Sequence, residues 1–283
     1  MSAFFGPGGN SQAFYNAGFK STIDAPRFVR SIGLNAYEYE AGNGIAASLE
    51  TLYKIGKAAK EQGIKMSFHT PYFISLSGVE EEKRLKSIKY IADSLDAAYA
   101  LGAGTIVVHT GSAAKISREE AMRLCADTIA KTLAAVDTRG IRIGLETMGK
   151  INQLGTLEEV LDICSLDKRL CPVIDFGHLN ARELGGVFIT KDDYLRVFDL
   201  IASKLGAEYL DSLHCHFSKI EWSKSGEKRH LTFEDSIYGP DFEPLMEVIA
   251  REDLSPRIIC ESDGTMAEDA LKMKTYYSAL REG

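Results

Sequence analysis

Apolar residues gather along this chain in eight short runs: AFFG near residue 4, GLNAYEYE at 33, IKMSFHT at 64, GTIVVHT at 104, IRIGLET at 141, CPVIDFG at 171, YLDSLHCHF at 209 and RIICESD at 257. Several are nearly continuous rather than alternating, as expected of parallel strands buried on both faces. Between them the spacing changes to that of helices. In EEEKRLKSIKYIADSLDAAYALG, Leu85, Ile88, Ile91, Leu95, Ala98 and Leu101 fall three and four apart, and Gly102 stands where such a helix ends. Ser117 with Glu120, and Thr156 with Glu159, have the S/T-x-x-E spacing of capping boxes opening the next two helices. Strand and helix alternate eight times, at about 35 residues per unit, with no proline-rich or low-complexity linker. The pattern predicts an α/β chain in one domain over residues 1–283, a (β/α)8 TIM barrel.

The barrel reading gives the histidines a meaning. All six lie at or just after the C-terminal end of an expected strand: His69, His109, His178, His214, His216 and, in the loop after strand 7, His230. Glu146, Asp175 and Glu261 take equivalent places at the ends of strands 5, 6 and 8. In a barrel these ends converge on the face where catalytic residues project. One histidine at a strand end is ordinary structure, but six with none on a helix surface is a pattern. Imidazole and carboxylate together suit zinc, and also manganese or iron. More ligands than one ion needs imply at least two, with a carboxylate such as Glu146 shared between ions about 3.5–4 Å apart. Cys215 and Cys260 neighbour these residues but alternate to the opposite side, into the core. GPGGN at 6–10 and HTGS at 109–112 read as glycine-rich turns.

Composition narrows the picture further. At 45% apolar and 26% charged, with a net charge of −7, the chain is not a broadly basic binder of nucleic acid. No apolar stretch approaches the roughly 20 residues that cross a bilayer, and MSAFFGPGGNS lacks the features of a signal peptide. Five cysteines without a C-x-x-C pair fit a reducing cytoplasm. Nothing marks an obligate protein partner.

In short blocks from residue 64 to 261 the chain resembles the endonuclease IV family of zinc-dependent apurinic/apyrimidinic endonucleases, within the xylose-isomerase-like barrels. FHTPYFISL is similar to the family's H-A-P-Y-x-I-N-L, VVHTGS to F-H-P-G-S, and GLETMG to L-E-N-T-A-G. IDFGHLNA, HCHFSK and CESD resemble D-T-C-H-x-F-A, H-x-N-D-S-K and the final E-T-P block. The resemblance implies three zinc ions. One is held by His69, His109 and Glu146. A second is held by Glu146, Asp175, His214 and Glu261. A third takes His178, His230 and an aspartate two residues before that histidine. Lys228 stands at the aspartate's place. Either Glu227 reaches in after a shift of one residue, or Lys228 itself supplies positive charge beside a bound anion. The family's strand-1 histidine is absent from FFGPGG.

The implied activity is hydrolysis of DNA at abasic sites, with Glu146 and Glu261 catalytic. Tyr72, Lys219, Lys228 and Arg229 then contact the DNA, and His216 lies beside the ligands, facing substrate. Glu38 and Glu40, where the family carries its DNA-penetrating loop, are expected to repel phosphates. Trp222 is assigned to loop packing. A second expectation is a sugar isomerase or epimerase of the same superfamily, holding one Mn²⁺ on Glu146, Asp175, His214 and Glu261, with His178 against the sugar. A barrel that only binds a metabolite or a partner is the third.

Overall fold

The computed structural model describes residues 2–282. Eight parallel strands form one sheet: β1 (Phe4–Pro7), β2 (Ala36–Glu40), β3 (Lys65–His69), β4 (Thr105–Val108), β5 (Arg142–Glu146), β6 (Leu170–Asp175), β7 (His214–Phe217) and, after a hairpin of β8 (Lys219–Ser223) and β9 (Gly226–Leu231), β10 (Arg257–Cys260). Each of β2 to β7 lies beside its successor, and β10 sits between β7 and β1. Between β1 and β2 the Asn35 amide donates to Phe5 O at 3.1 Å and the Gly9 amide to Glu38 O at 2.9 Å, closing the barrel. This seam is tight: a Cβ at Gly6 would lie 1.8 Å from Ala36 O, so only glycine fits there.

Helices cover the outside, as the spacing predicts. The helix Glu81–Leu101 buries Ile91, Leu95, Ala98 and Leu101 and ends on Gly102 at φ 71°, while at the start of the expected stripe Leu85 is exposed and Ile88 only half-buried. Thr156 and Glu159 form the full reciprocal capping box. Ser117 forms only half of one: its hydroxyl accepts from the Glu120 amide, while the Glu120 carboxylate turns to Arg123. Among the described residues no helix is long and apolar enough to cross a membrane.

Two local expectations change. His230 lies not in a loop but in β9, whose hairpin with β8 stands outside the barrel sheet. The stretch Tyr37–Glu40 is not a loop entering solvent: β2 runs to Glu40, and Glu38 is fully buried inside the barrel. The motif AYEYE alternates, so Tyr37 and Tyr39 face the helices while Glu38 and Glu40 face the barrel axis.

Candidate metal centre

The C-terminal strand ends bring imidazoles and carboxylates together in overlapping groups, each with ligand atoms within 4.8 Å of one another. The first is His69, His109 and Glu146. Glu146 Oε2 lies 2.9 Å from His109 Nε2 and 3.5 Å from His69 Nε2. The second is Glu146, Asp175, His216 and Glu261. Here His216 Nδ1 is 2.8 Å from Glu146 Oε1 and 3.4 Å from Glu261 Oε1. The third is His178, Glu227 and His230, with His178 Nε2 3.5 Å from Glu227 Oε2 and the two rings 5.5 Å apart. Glu146 belongs to the first two groups. Asp175 doubles as N-cap of the helix Phe176–Arg182, its Oδ1 accepting from the His178 amide at 2.7 Å.

In three rings Nδ1 is tied down, although that of His178 also lies 3.2 Å from Asp175 Oδ2 of the second group. His69 Nδ1 is 2.9 Å from Thr70 O, His178 Nδ1 is 3.0 Å from Thr147 O, and His230 Nδ1 is 2.8 Å from the Ser218 hydroxyl. In the neutral ring, Nδ1–H donated to a carbonyl leaves Nε2 of His69 and His178 with its lone pair toward the group, the form a bound cation would select.

Burial opposes charge throughout. Burial raises the Glu146 carboxyl, but His216, His109 and His69 outweigh it and hold that group well below the ordinary carboxylate range. Burial pushes Glu261 well above it and Glu40 up to about 7. Burial also disfavours charged His69 and His178, yet Glu40 and Glu146 carry the first to about 10, and Asp175 and Glu227 the second to about 9. Burial takes His214 down to about 4.

The residues fit divalent cations. Glu146 Oε2 and Asp175 Oδ2 are buried with imidazole nitrogens as near partners, His109 Nε2 at 2.9 Å and His178 Nδ1 at 3.2 Å, and a buried carboxylate costs free energy unless positive charge faces it. The donors are imidazole nitrogens and carboxylate oxygens, the set that zinc, manganese and iron take.

Several expected site residues are placed differently. His214 does not join Asp175 and Glu261; His216 stands there instead. The register explains it, because β6 and β7 pair Asp175 with His216 and Val173 with His214, which leaves His214 one layer deeper. Lys219 is buried, its ammonium 2.7 Å from Asp235 O and 2.9 Å from Asp241 Oδ1, so it braces the chain after the hairpin rather than facing the mouth. Lys228 does not occupy a ligand position. The β8–β9 pairing slips at Glu221/Trp222, so that Trp222 pairs with Glu227 and Glu221 with Arg229, with Lys228 the extra residue of a one-residue bulge. Ligands two apart on a regular strand become three apart across a bulge, which brings Glu227 beside His230. Lys228 and Arg229 turn outward and share Glu221. Trp222 packs edge-on against Tyr238, ring centroids 4.5 Å apart.

Glu261 of the second group and Glu227 and His230 of the third line a cavity of about 820 Å³, whose rim also includes Glu40, Tyr72, Lys228, Arg229 and Asp263. Tyr72 stacks on His109 at 5.4 Å and 27°. Sequence reasoning missed Glu38 and Glu40 as members of this centre, while Glu227 takes the place that a one-residue shift offers it. For the first two the signal was present in the alternation of AYEYE.

A family model, the xylose isomerase-like TIM barrel, matches residues 26–276. An uncharacterized protein of Methanocaldococcus jannaschii is 29% identical over 250 residues, 88% of this chain and 89% of its own length. A probable endonuclease 4 of Acholeplasma laidlawii is 29% identical over 239 residues, covering 77% and 79%. Among solved structures, a D-tagatose 3-epimerase-like protein superposes with a TM-score of 0.69 at 19% identity, over 99% of this chain and 97% of the other. With a closed eight-stranded barrel and a family match over most of its length, this chain is a member of the xylose isomerase-like TIM barrel family.

Proposed function

We propose that this protein is a metal-dependent phosphodiester hydrolase of the endonuclease IV type, acting on DNA at abasic sites. The observation that carries the reading is the third group, His178, Glu227 and His230, set beside the other two. An isomerase working through one ion needs only Glu146, Asp175, His216 and Glu261. Divalent ions, zinc foremost with manganese or iron as alternatives, would supply Lewis-acid charge that acidifies a water and neutralises the phosphate.

The residues then divide the work. His69, His109 and Glu146 hold the first ion, and Glu146, Asp175, His216 and Glu261 the second. His178, Glu227 and His230 hold the third. Glu146 and Glu261 approach His216 Nδ1 from different strands at 2.8 and 3.4 Å, and Glu146, held in its charged form, is the carboxylate able to take the proton of an attacking water. Tyr72 offers an aromatic face at the mouth. Lys228 and Arg229 stand on the rim, where an entering phosphate competes with Glu221 for them.

The test is nicking of a duplex oligonucleotide with one abasic site by zinc-loaded protein, with Glu146→Gln as control. Absence of nicking by protein carrying its full metal complement refutes the reading. A sugar epimerase is favoured by one feature, the acid-lined mouth of Glu40, Glu261 and Asp263, which suits a polyol better than a polyanion. One ion per chain together with ketose epimerisation would put that reading first.

A further inference from the structure

His216 faces two ways. Its Nδ1 points at Glu146 and Glu261, as described above. Its Nε2 lies 2.8 Å from Oε1 of Glu38, and His214 Nε2 lies 2.9 Å from the other oxygen of the same carboxylate. Glu38 and His216 are fully buried and His214 nearly so. Neither Glu38 oxygen has a hydroxyl or backbone amide as partner, only these two close imidazole nitrogens, which lie 3.2 Å from each other. A carboxylate enclosed in a barrel with two histidines as its near partners is expensive to retain for stability alone, which points to a role in the centre above it.

That role follows from the other histidines. In His69, His178 and His230 one ring nitrogen faces the centre while the other meets a carbonyl or a hydroxyl. His216 has neither partner. Glu38 is the acceptor that takes its place, reaching across the barrel from β2 to β7.

We propose that Glu38 is a positioning residue for the metal centre: it takes the Nε2 proton of His216, fixing the tautomer and the ring so that Nδ1 faces Glu146, Asp175 and Glu261, while His214 fills the second oxygen and keeps the carboxylate from turning. The inference rests on the metal-holding reading of that group and says nothing of the substrate.

The experiment uses full-length protein and Zn²⁺ alone, titrated against a chromophoric chelator. Glu38→Met fills the same volume without an acceptor, and Glu38→Gln keeps one neutral acceptor oxygen. The expected result is a loss of zinc affinity of about 10- to 100-fold in Glu38→Met, a smaller loss in Glu38→Gln, and an unchanged number of ions at saturation. In zinc-loaded protein labelled with ¹⁵N-histidine, one slowly exchanging Nε2–H signal of the wild type should be lost in Glu38→Met. Equal affinity in wild type and Glu38→Met overturns the proposal. So does a saturated ion count lower by one, which would make Glu38 a ligand. Wild-type protein that binds no zinc refutes the metal reading itself and is separable from both. If Glu38→Met does not fold, the Glu38→Gln affinity and exchange data decide by the same criteria.

Discussion

Gly149 touches no substrate and donates no ligand atom, yet adding one methyl to it should empty the third ion site. A Cβ built there lies 2.6 Å from Glu227 Cβ, 2.9 Å from Glu227 Oε2 and 3.0 Å from His178 Cδ2. Carbon atoms in contact sit about 3.5–4.0 Å apart, so Glu227 must retreat by about 1 Å. It cannot do so freely, because its amide donates to the carbonyl of Gly149 itself at 3.0 Å. Overpacking of this kind costs about 1–3 kcal/mol, or several degrees of melting temperature in a chain of this length. Gly149→Ala should therefore bind one ion fewer than wild type after dialysis against zinc, with the other ions held as before. Elemental analysis with a thermal melt reads both effects. Gly104→Ala is the control, since nothing lies within 4 Å of a Cβ there. A Gly149→Ala protein with the wild-type ion count, zinc affinity and melting temperature would refute the reasoning.

Three further outcomes are expected. Chelation should destabilise the fold strongly: even the two ions that share Glu146, held at about 1,000 times their dissociation constants, contribute about 8 kcal/mol, upward of 10 °C, and superimposable melts with and without chelator would contradict this. Lys219→Met should lower stability by about 2 kcal/mol through loss of the Asp235 and Asp241 contacts; unchanged stability with a weakened salt dependence of DNA binding would restore Lys219 as a phosphate contact. Burial raises Glu159, but Arg118 and the Gly155 and Thr156 amides outweigh it and hold its carboxyl below the ordinary range. Its stabilisation is thus present above the unfolded-state value and lost as pH falls through the lower folded one. The melting-temperature gap between wild type and Glu159→Gln should accordingly be open at pH 7 and close below about pH 4; a gap that widens in acid would reverse the assignment.

The barrel and the face bearing the centre were legible because they depend on short-range patterns. Near-continuous apolar runs mark β3 to β6, and Glu146 and Asp175 end their strands where a barrel exposes them. What was not legible depends on register. H-x-H in HCHFSK offers two histidines on one side of a strand, and only the pairing of Asp175 with His216 decides which reaches the centre. A bulge leaves no mark in sequence, so the choice between Glu227 and Lys228 stayed open until the β8–β9 register decided it. Glu38 was misplaced for another reason. An acidic residue is expected in water, and that expectation overrode the alternation of AYEYE, which puts Glu38 on the barrel axis beside His214 and His216.

The β8–β9 hairpin has a dynamic consequence. Two strands alone are marginal in water, and this pair is held to the barrel side by the buried Ile220 and Lys219 side chains of β8 and, along β9, by backbone contacts: the Lys150–Gly226 bridge, the Glu227 amide on Gly149 O, and the Ile151 amide on Ser225 O. It also carries two of the three donors of the group around His178. A cation bound there acts as a latch between the hairpin and the helix after β6, so local opening must first break its coordination. Amide hydrogen exchange along Gly226–Leu231 therefore becomes a gauge of that ion's occupancy, slowing as zinc is added while the barrel strands exchange at rates set by global unfolding.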